Sequence, residues 1–453
     1  MDTAALTALR QEIAGEVVLP GDDSYERLRN VFVHPGSPDV VVRCRDTADV
    51  RTALRFARDA GLTVSVRSGG HSNAGFSTDE GGLVLDLSLI DGVEIVDPAR
   101  NVVRIGTGAR WGRVAAALAG HGLAISSGDT STVGVGGLLL GGGIGWMVRR
   151  DGLALDNVVG AEVVTADGRV LRASADDNPD LFWAIRGGGG NFGVVTTFDV
   201  VARPDSGVHF GAVTYPAEDA VAVVRNWSRA MRTAPDEVTS TVALYPGFGD
   251  APPPVIITVC YAGDDPAAAA AAVDPLLRLG EPIENTIRPM PYAGVLEDPS
   301  DLPPGWIPRV KSAFAPVCGD EFVETLITGA RTFDTLFVEL RSLGGAVGRV
   351  PRDATAFAHR ANEVLLTTVL LGAVEDTRPQ EPAFQAFWAT LAEHTEGAYS
   401  NFLSQVDEDD VAAVYPPETL ARLSGVKTVY DPGNVFSRNP NVTPVREPIS
   451  ATS

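Results

Sequence analysis

The 453-residue sequence predicts an α+β fold in two units. Three observations carry this reading. Near the N-terminus a strand, a helix and a second strand follow one another, and the second strand runs into a glycine-rich loop. At residues 203–207 the run Arg203-Pro-Asp-Ser-Gly207 breaks the pattern as a linker does. Beyond it, strands near 208–215, 239–245, 255–262 and 335–342 alternate with helices near 217–232, 265–278 and 380–395, the pattern of an antiparallel sheet backed by helices. Length agrees, because single cores rarely grow past about 250–300 residues.

The elements of the first unit follow in order. Residues 3–15 place Leu6, Leu9 and Ile13 at helical spacing, and 39–44 read as a strand. Residues 46–61 read as a helix that opens on a capping Asp46 or Thr47 and ends at Gly61. The strand 62–66 then feeds the loop VRSGGHSNAGF, 66–76. Open α/β sheets place ligands at the C-terminal ends of their strands. Glycine lets a backbone turn tightly, and successive free N–H groups form a concavity for anions, phosphate above all. Arg67, Ser68, Gly69, Gly70, His71, Ser72, Gly75 and Phe76 are therefore candidate cofactor contacts. The turn does not need His71, so that residue invites a chemical role; a plain turn carrying a histidine is the competing reading.

Strands follow near 82–88, 93–96 and 101–107, then a helix near 111–121, where His121 reads as a partner for free helix-end carbonyls. A second loop, 127–145 (SGDTSTVGVGGLLLGGGIG), holds eight glycines. Its candidates are Gly128, Asp129, Thr130, Val133, Gly134, Gly136, Gly137, Gly141, Gly142, Gly143, Ile144 and Gly145. Strands at 159–165 and 170–173 flank a hairpin signal, Ala166-Asp-Gly-Arg169. A short amphipathic piece, 180–186, leads into a third cluster, 186–193. There Gly188, Gly190 and Gly193 spell G-x-G-x-x-G, but residues 194–201 are β-branched and alternating. The run opens a strand rather than a helix, which excludes a Rossmann-type NAD site. Three such loops suggest one long, phosphate-bearing cofactor. In the second unit, residues 282–308 are Pro-rich and read as an irregular loop, and from about 407 the chain reads as returning to the first unit.

A net charge of −22 argues against nucleic-acid or anionic-membrane partners, which need clustered Lys and Arg. Cys44, Cys260 and Cys318 are odd in number and far apart, which fits neither a disulfide framework nor a metal site. The N-terminus lacks a long apolar run after its charges, and no stretch approaches the 18 or so apolar residues of a membrane span. A cytoplasmic enzyme is the default expectation.

Five motifs carry a resemblance: RSGGHS, the 127–145 loop, GLALDNV at 152–158, DLFWAIRGGGGNFGVVTTF, and YDPGNVFSRNPN near the C-terminus. Together, in this order, the chain resembles the berberine-bridge-enzyme-like FAD-linked oxidases of the vanillyl-alcohol-oxidase superfamily. The resemblance implies a discontinuous FAD-binding domain, 1–204 and 406–453, around a substrate domain, 205–405. It adds Asp156, Asn157, Val158, Gly193, Val194, Asn434, Phe436 and Asn439 to the FAD contacts. It also implies a covalent bond from His71 to the flavin 8α carbon, where a neutral imidazole is a fitting nucleophile. The alternative is a His71 that only hydrogen-bonds the ring. Many relatives add a cysteine link in G-x-C-x-x-V-G; here Thr130 holds that place, implying attachment through His71 alone and disfavouring bulky oligosaccharides. In plant relatives a small or Val-type residue at the places of Gly128 and Val133 leaves room for dioxygen, so the resemblance implies an oxidase.

The expected function is an oxidase. Hydride passes from a small or medium alcohol, hemiacetal or amine, such as a secondary metabolite, to FAD, and O2 gives H2O2. A dehydrogenase with another acceptor, or a flavoprotein that only sequesters a metabolite, are the alternatives. For the proton-handling group the family often uses Y-x-N-Y, here Tyr399-Ser-Asn-Phe402. Tyr399 leads, with Tyr430 and Tyr415 as further candidates. Glu339 joins them because it shares a strand face with Phe337 and Arg341. His359 reads as a structural helix histidine. No metal is implied, and the oligomeric state stays open.

Overall fold

A computed structural model describes residues 2–247, 253–298, 302–303 and 305–445. The expected β-α-β start is present. Val40–Arg43 and Val64–Arg67 both pair in parallel with Leu83–Asp86, and Glu16–Val18 adds an antiparallel edge. Between the first two runs the helix Thr47–Ala60 is capped by the Asp46 carboxylate, which accepts from the Asp49 N–H, and closes on Gly61 at φ +66°. Its Val50, Ala53, Leu54 and Ala57 lie on one face, at helical spacing, and bury against this sheet. The strand Val64–Arg67 ends where the first glycine loop begins.

A second, antiparallel sheet has the order Val93–Asp97, Val102–Gly106, Val194–Val201, Val158–Val164, Val170–Ser174. Val194–Val201 sits at its centre, so the third glycine cluster does lead into a strand. The expected hairpin forms, with Val164 opposite Val170. The middle of the second glycine run is not loop, as read from sequence, but the helix Val135–Gly141. Its glycine content hid the helical spacing of Val135, Leu138 and Leu139, whose burial in the core outweighs the poor propensity of glycine.

The third sheet is antiparallel, in the order Glu284–Asn285, Val208–Tyr215, Val255–Tyr261, Val238–Leu244, Leu336–Ser342, Val364–Leu370, Arg309–Ala315. Arg288–Met290 also pairs with Val208–Tyr215. Parts of the Pro-rich stretch 282–308 are thus edge strand rather than irregular loop; residues 299–301 and 304 of it lie outside the described residues. Helices Ala220–Thr233, Asp320–Ala330 and Glu381–Leu391 cover one face of this sheet in a shared apolar core. Along Leu336–Ser342 burial alternates, Leu336, Val338 and Leu340 facing those helices. Phe337, Glu339 and Arg341 therefore point to the opposite face.

The chain does come back to its start. Phe436 packs with Val40, Val42, Leu83 and Leu85. Lys427, fully buried, donates through Nζ to the carbonyls of Asn191 and Phe436 and pairs with Asp431 at 2.7 Å. That one ammonium ties the third glycine cluster to the C-terminal turn. Residues 355–360 also pack toward the N-terminal core: the Ala356 N–H donates to Arg186, and Arg360 pairs with Asp156 at 2.7 Å. Among the described residues no helix is long and apolar enough to cross a membrane, and no group of three or more His, Cys, Asp or Glu could hold a metal ion.

Candidate active site

All three glycine clusters open onto one cavity of about 420 Å³. The first and second clusters touch backbone to backbone. A Cβ built on Gly134 would overlap the backbone nitrogen of Gly69 and the Ser68 hydroxyl, and one on Gly69 would overlap Gly134. Ser68 Oγ locks the contact by accepting from the Gly136 N–H at 3.1 Å while donating to the Thr107 carbonyl. Both glycines are required by this approach. Gly134→Ala is expected to spread the two loops and cut retained cofactor at least tenfold. Flavin absorbance per mole of purified protein measures it, and full retention would show that the loops need not touch.

Of the residues singled out from sequence, Ser68, Gly69, Gly70, His71, Ser72, Phe76, Gly128, Asp129, Thr130, Val133, Gly134, Gly136, Gly137, Gly141, Ile144, Gly193, Val194, Phe436, Asn439 and Tyr399 line the cavity. Others do not. Arg67 turns inward, donating to the carbonyls of Ser77 and Leu28 and pairing with Asp86, so it braces the loop instead of meeting a phosphate. Gly75 packs on the His34 ring. Gly142 and Gly143 lie behind Tyr399, and Gly145 lies against the backbone of Ser127. Asp156 pairs with Arg360, Asn157 holds the carbonyls of Asp151 and Leu153, and Val158 is core. Asn434 forms a turn at φ +50°. Tyr430 is displaced from the cavity, its hydroxyl donating to Asp180 at 3.0 Å. His359 is not in a helix; it stacks on Phe314 and reaches the carbonyls of Ala413 and Val414.

His71 is clamped on two sides. Its ring stacks on Phe32, centroids 4.8 Å apart, and its Nε2 lies 3.0 Å from Thr132 Oγ1. Burial, with Arg110 adding to it, lowers its pKa to about 4, so the imidazole is neutral at physiological pH.

The same cavity is also lined by acidic, basic and aromatic side chains. Tyr399 Oη accepts from the Gly143 N–H at 2.9 Å and from Asn401 Nδ2 at 3.1 Å. Arg341 bridges two carboxylates: Nε donates to Glu339 at 2.7 Å and Nη2 to Asp129. Its guanidinium also sits 5.5 Å from the Phe402 ring centroid. Burial works to raise the Asp129 carboxyl, but Arg341 outweighs it and holds it below the usual range. Burial raises Glu339, with Arg341 opposing. Glu339 itself does not line the cavity, whereas Arg341 and Asp129 do. Sequence reasoning missed Phe32, Thr132 and Asn401, and put Arg341 beside Glu339 without seeing it as the bridge.

The lining fits a large polar cofactor. Ser77 Oγ, Tyr415 Oη, Asn439 Oδ1 and Arg438 Nε are buried and without hydrogen-bond partners in the protein, and all four residues line the cavity. Buried polar groups are rarely left unmet, so a ligand that meets several at once is the expected occupant. A long molecule with phosphates at the first loop and hydrogen-bonding groups along its length satisfies that requirement.

Comparison with known proteins agrees. A family model described as an FAD binding domain matches residues 38–174, and one described as "Berberine and berberine like" matches 398–443. (R)-6-hydroxynicotine oxidase of Paenarthrobacter nicotinovorans is 33% identical over 462 aligned residues, covering 95% of this chain and 97% of that protein. The crystal structure of 6-hydroxy-D-nicotine oxidase from Arthrobacter nicotinovorans superposes with a TM-score of 0.86 at 31% identity, covering 96% and 98% of the two chains. Glucooligosaccharide oxidase from Acremonium strictum, with a 6-S-cysteinyl, 8α-N1-histidyl FAD, shares the fold at TM-score 0.85 and 24% identity, covering 98% and 100%.

Proposed function

Because the chain belongs to the berberine-bridge-enzyme-like family of FAD-linked oxidoreductases, we propose that it is an oxidase of a small or medium organic substrate, with FAD attached through His71 alone. The substrate class is an alcohol, hemiacetal or amine. One observation carries the reading: a single cavity runs from the Ser68–Ser72 loop to Tyr399 and Asp129, joining a phosphate cradle to proton-handling side chains. Bound FAD supplies a hydride acceptor that dioxygen reoxidises with release of H2O2.

The chain's own residues do the rest. The backbone amides of the first loop, with Ser68 holding its shape, cradle the pyrophosphate. Tyr415, Asn439 and Arg438 offer their free polar atoms along the cofactor. Tyr399, its lone pairs occupied by two donors, directs its own proton at the substrate heteroatom. Asp129, kept ionised by Arg341, receives the proton that the substrate loses with its hydride. With Thr130 at the place of the second linkage, Thr130 Oγ1 donates to the Asp129 carboxylate at 2.8 Å instead of carrying a flavin bond. Singly attached flavin, a cytoplasmic location and a secondary-metabolite substrate belong to the same proposal.

The test is reduction of the yellow protein under anaerobic conditions by a panel of amines, alcohols and sugars. Bleaching of the flavin band, followed by one equivalent of H2O2 per turnover on admitting air, is the expected result. Bleaching without stoichiometric peroxide makes the protein a dehydrogenase, and a spectral shift without bleaching makes it a binding protein.

A further inference from the structure

We propose that Thr132 is the positioning residue for flavin attachment, its hydroxyl fixing the His71 tautomer that attacks and then taking over the proton relay. The inference rests on the covalent reading above. The imidazole has two nitrogens, and only one with a free lone pair is a nucleophile. Nε2 is engaged by Thr132 Oγ1 at 3.0 Å, while Nδ1 has no hydrogen-bond partner among the described residues. The Phe32 ring, inclined 17° to the imidazole, holds the plane of the ring. Among the described residues Thr132 Oγ1 has no other hydrogen bond, so it is free to accept from Nε2–H. That leaves the Nδ1 lone pair without a partner among the described residues, on a side chain that lines the cavity.

A bond forms between His71 Nδ1 and the flavin 8α carbon, and one C–H bond of that methyl group breaks. The methyl hydrogen and the imidazole Nε2 hydrogen both end on the ring system, which is thereby reduced by two electrons. Dioxygen takes those electrons and two protons, giving one H2O2 per attachment. Once Nδ1 is substituted, a proton remaining on Nε2 would make the ring cationic in a buried place beside the positive Arg110. The Thr132 hydroxyl, both acceptor and donor, accepts that proton's hydrogen bond before the reaction and donates to bare Nε2 after it. Serine preserves this ability; valine and alanine do not.

The experiment compares wild type, Thr132→Ser, Thr132→Val, Thr132→Ala and His71→Ala, each prepared as apoprotein and mixed with FAD in air. Covalent incorporation is followed by acid-stable flavin fluorescence on denaturing gels, and non-covalent binding by absorbance of the native protein. The expected result is that Val and Ala bind FAD normally yet attach it at least tenfold more slowly, while Ser stays within about threefold of wild type. Ala serves where Val disturbs packing. Attachment in both Val and Ala at the wild-type rate overturns the proposal. Wild type that releases all its flavin in acid overturns the covalent reading and the proposal with it. Loss of FAD binding in both variants, with Ser intact, likewise overturns it, because the hydroxyl would then serve binding and not attachment.

Discussion

Tyr399→Phe is expected to lower the rate of anaerobic flavin reduction about 10²–10³-fold, the usual cost of removing one preorganised donor at a reacting centre. The phenol is 3% exposed, and its oxygen already accepts from Gly143 and Asn401. Its remaining capacity is to donate. Burial raises its pKa above the ordinary 10, with the Gly143 and Asn401 bonds opposing, so it is a neutral phenol through the working pH range. It therefore acts as a donor, and no Tyr399 limb should appear in the pH–rate profile below pH 10. Phenylalanine keeps the ring contacts with Phe357 and Phe402, centroids 6.3 and 5.0 Å away. Two donors lose their acceptor, which costs about 1–3 kcal/mol of stability each, and flavin content should hold. Stopped-flow reduction with saturating substrate checks this. An unchanged rate would mean that Tyr399 only packs and that Asp129 handles the substrate without it.

Much of this site was readable from residue order because glycine is informative where a backbone must approach another closely. Gly69 and Gly134 lie 65 positions apart, yet each is small because the other is there. Strand alternation puts Phe337, Glu339 and Arg341 on one face but does not tell whether that face meets a cavity or solvent; Arg341 lines the cavity and Glu339 does not. What failed did so for physical reasons. The helix Val135–Gly141 was masked by its glycines, since local propensity does not register the core that holds Leu138 and Leu139. Arg67 stands in a motif that reads as a phosphate cradle, but a buried guanidinium near Asp86 finds its partners inward. Thr132 and Phe32 carry no signal on their own, because their meaning comes from His71, 61 and 39 residues away. Tyr430 looked exposed to chemistry only because one-dimensional order cannot tell which face of the helix Pro417–Tyr430 meets Asp180.

Arg341→Met is the substitution with the widest expected effect, because it strips the charge from between two carboxylates. Arg341 is 12% exposed in its side chain and reaches Asp129 with Nη2 and Glu339 with Nε. Removing one partner of such a buried cluster costs about 3–5 kcal/mol, since the charges left behind have no compensation. Asp129 and Glu339 then repel each other, and Glu297, whose carboxyl burial already raises, adds to the repulsion. With Arg341 present the Asp129 carboxyl is held below its ordinary range, so Asp129, the proposed proton acceptor, stays ionised down to mildly acidic pH. Without it, burial and repulsion both push that pKa upward, and the carboxylate is lost at a higher pH than in the wild type. Activity that is flat between about pH 6 and 8 in wild type should acquire a steep acidic limb in the variant, recovering toward high pH. Arg341→Lys should rescue stability in part but not the profile, because an ammonium is a single point charge while the guanidinium fork bonds both carboxylates at once. The pH dependence of anaerobic flavin reduction distinguishes this from plain destabilisation. A variant that is uniformly weakened at every pH would show Arg341 to be a brace for the strand Leu336–Ser342, with Asp129 playing no part in taking the substrate proton.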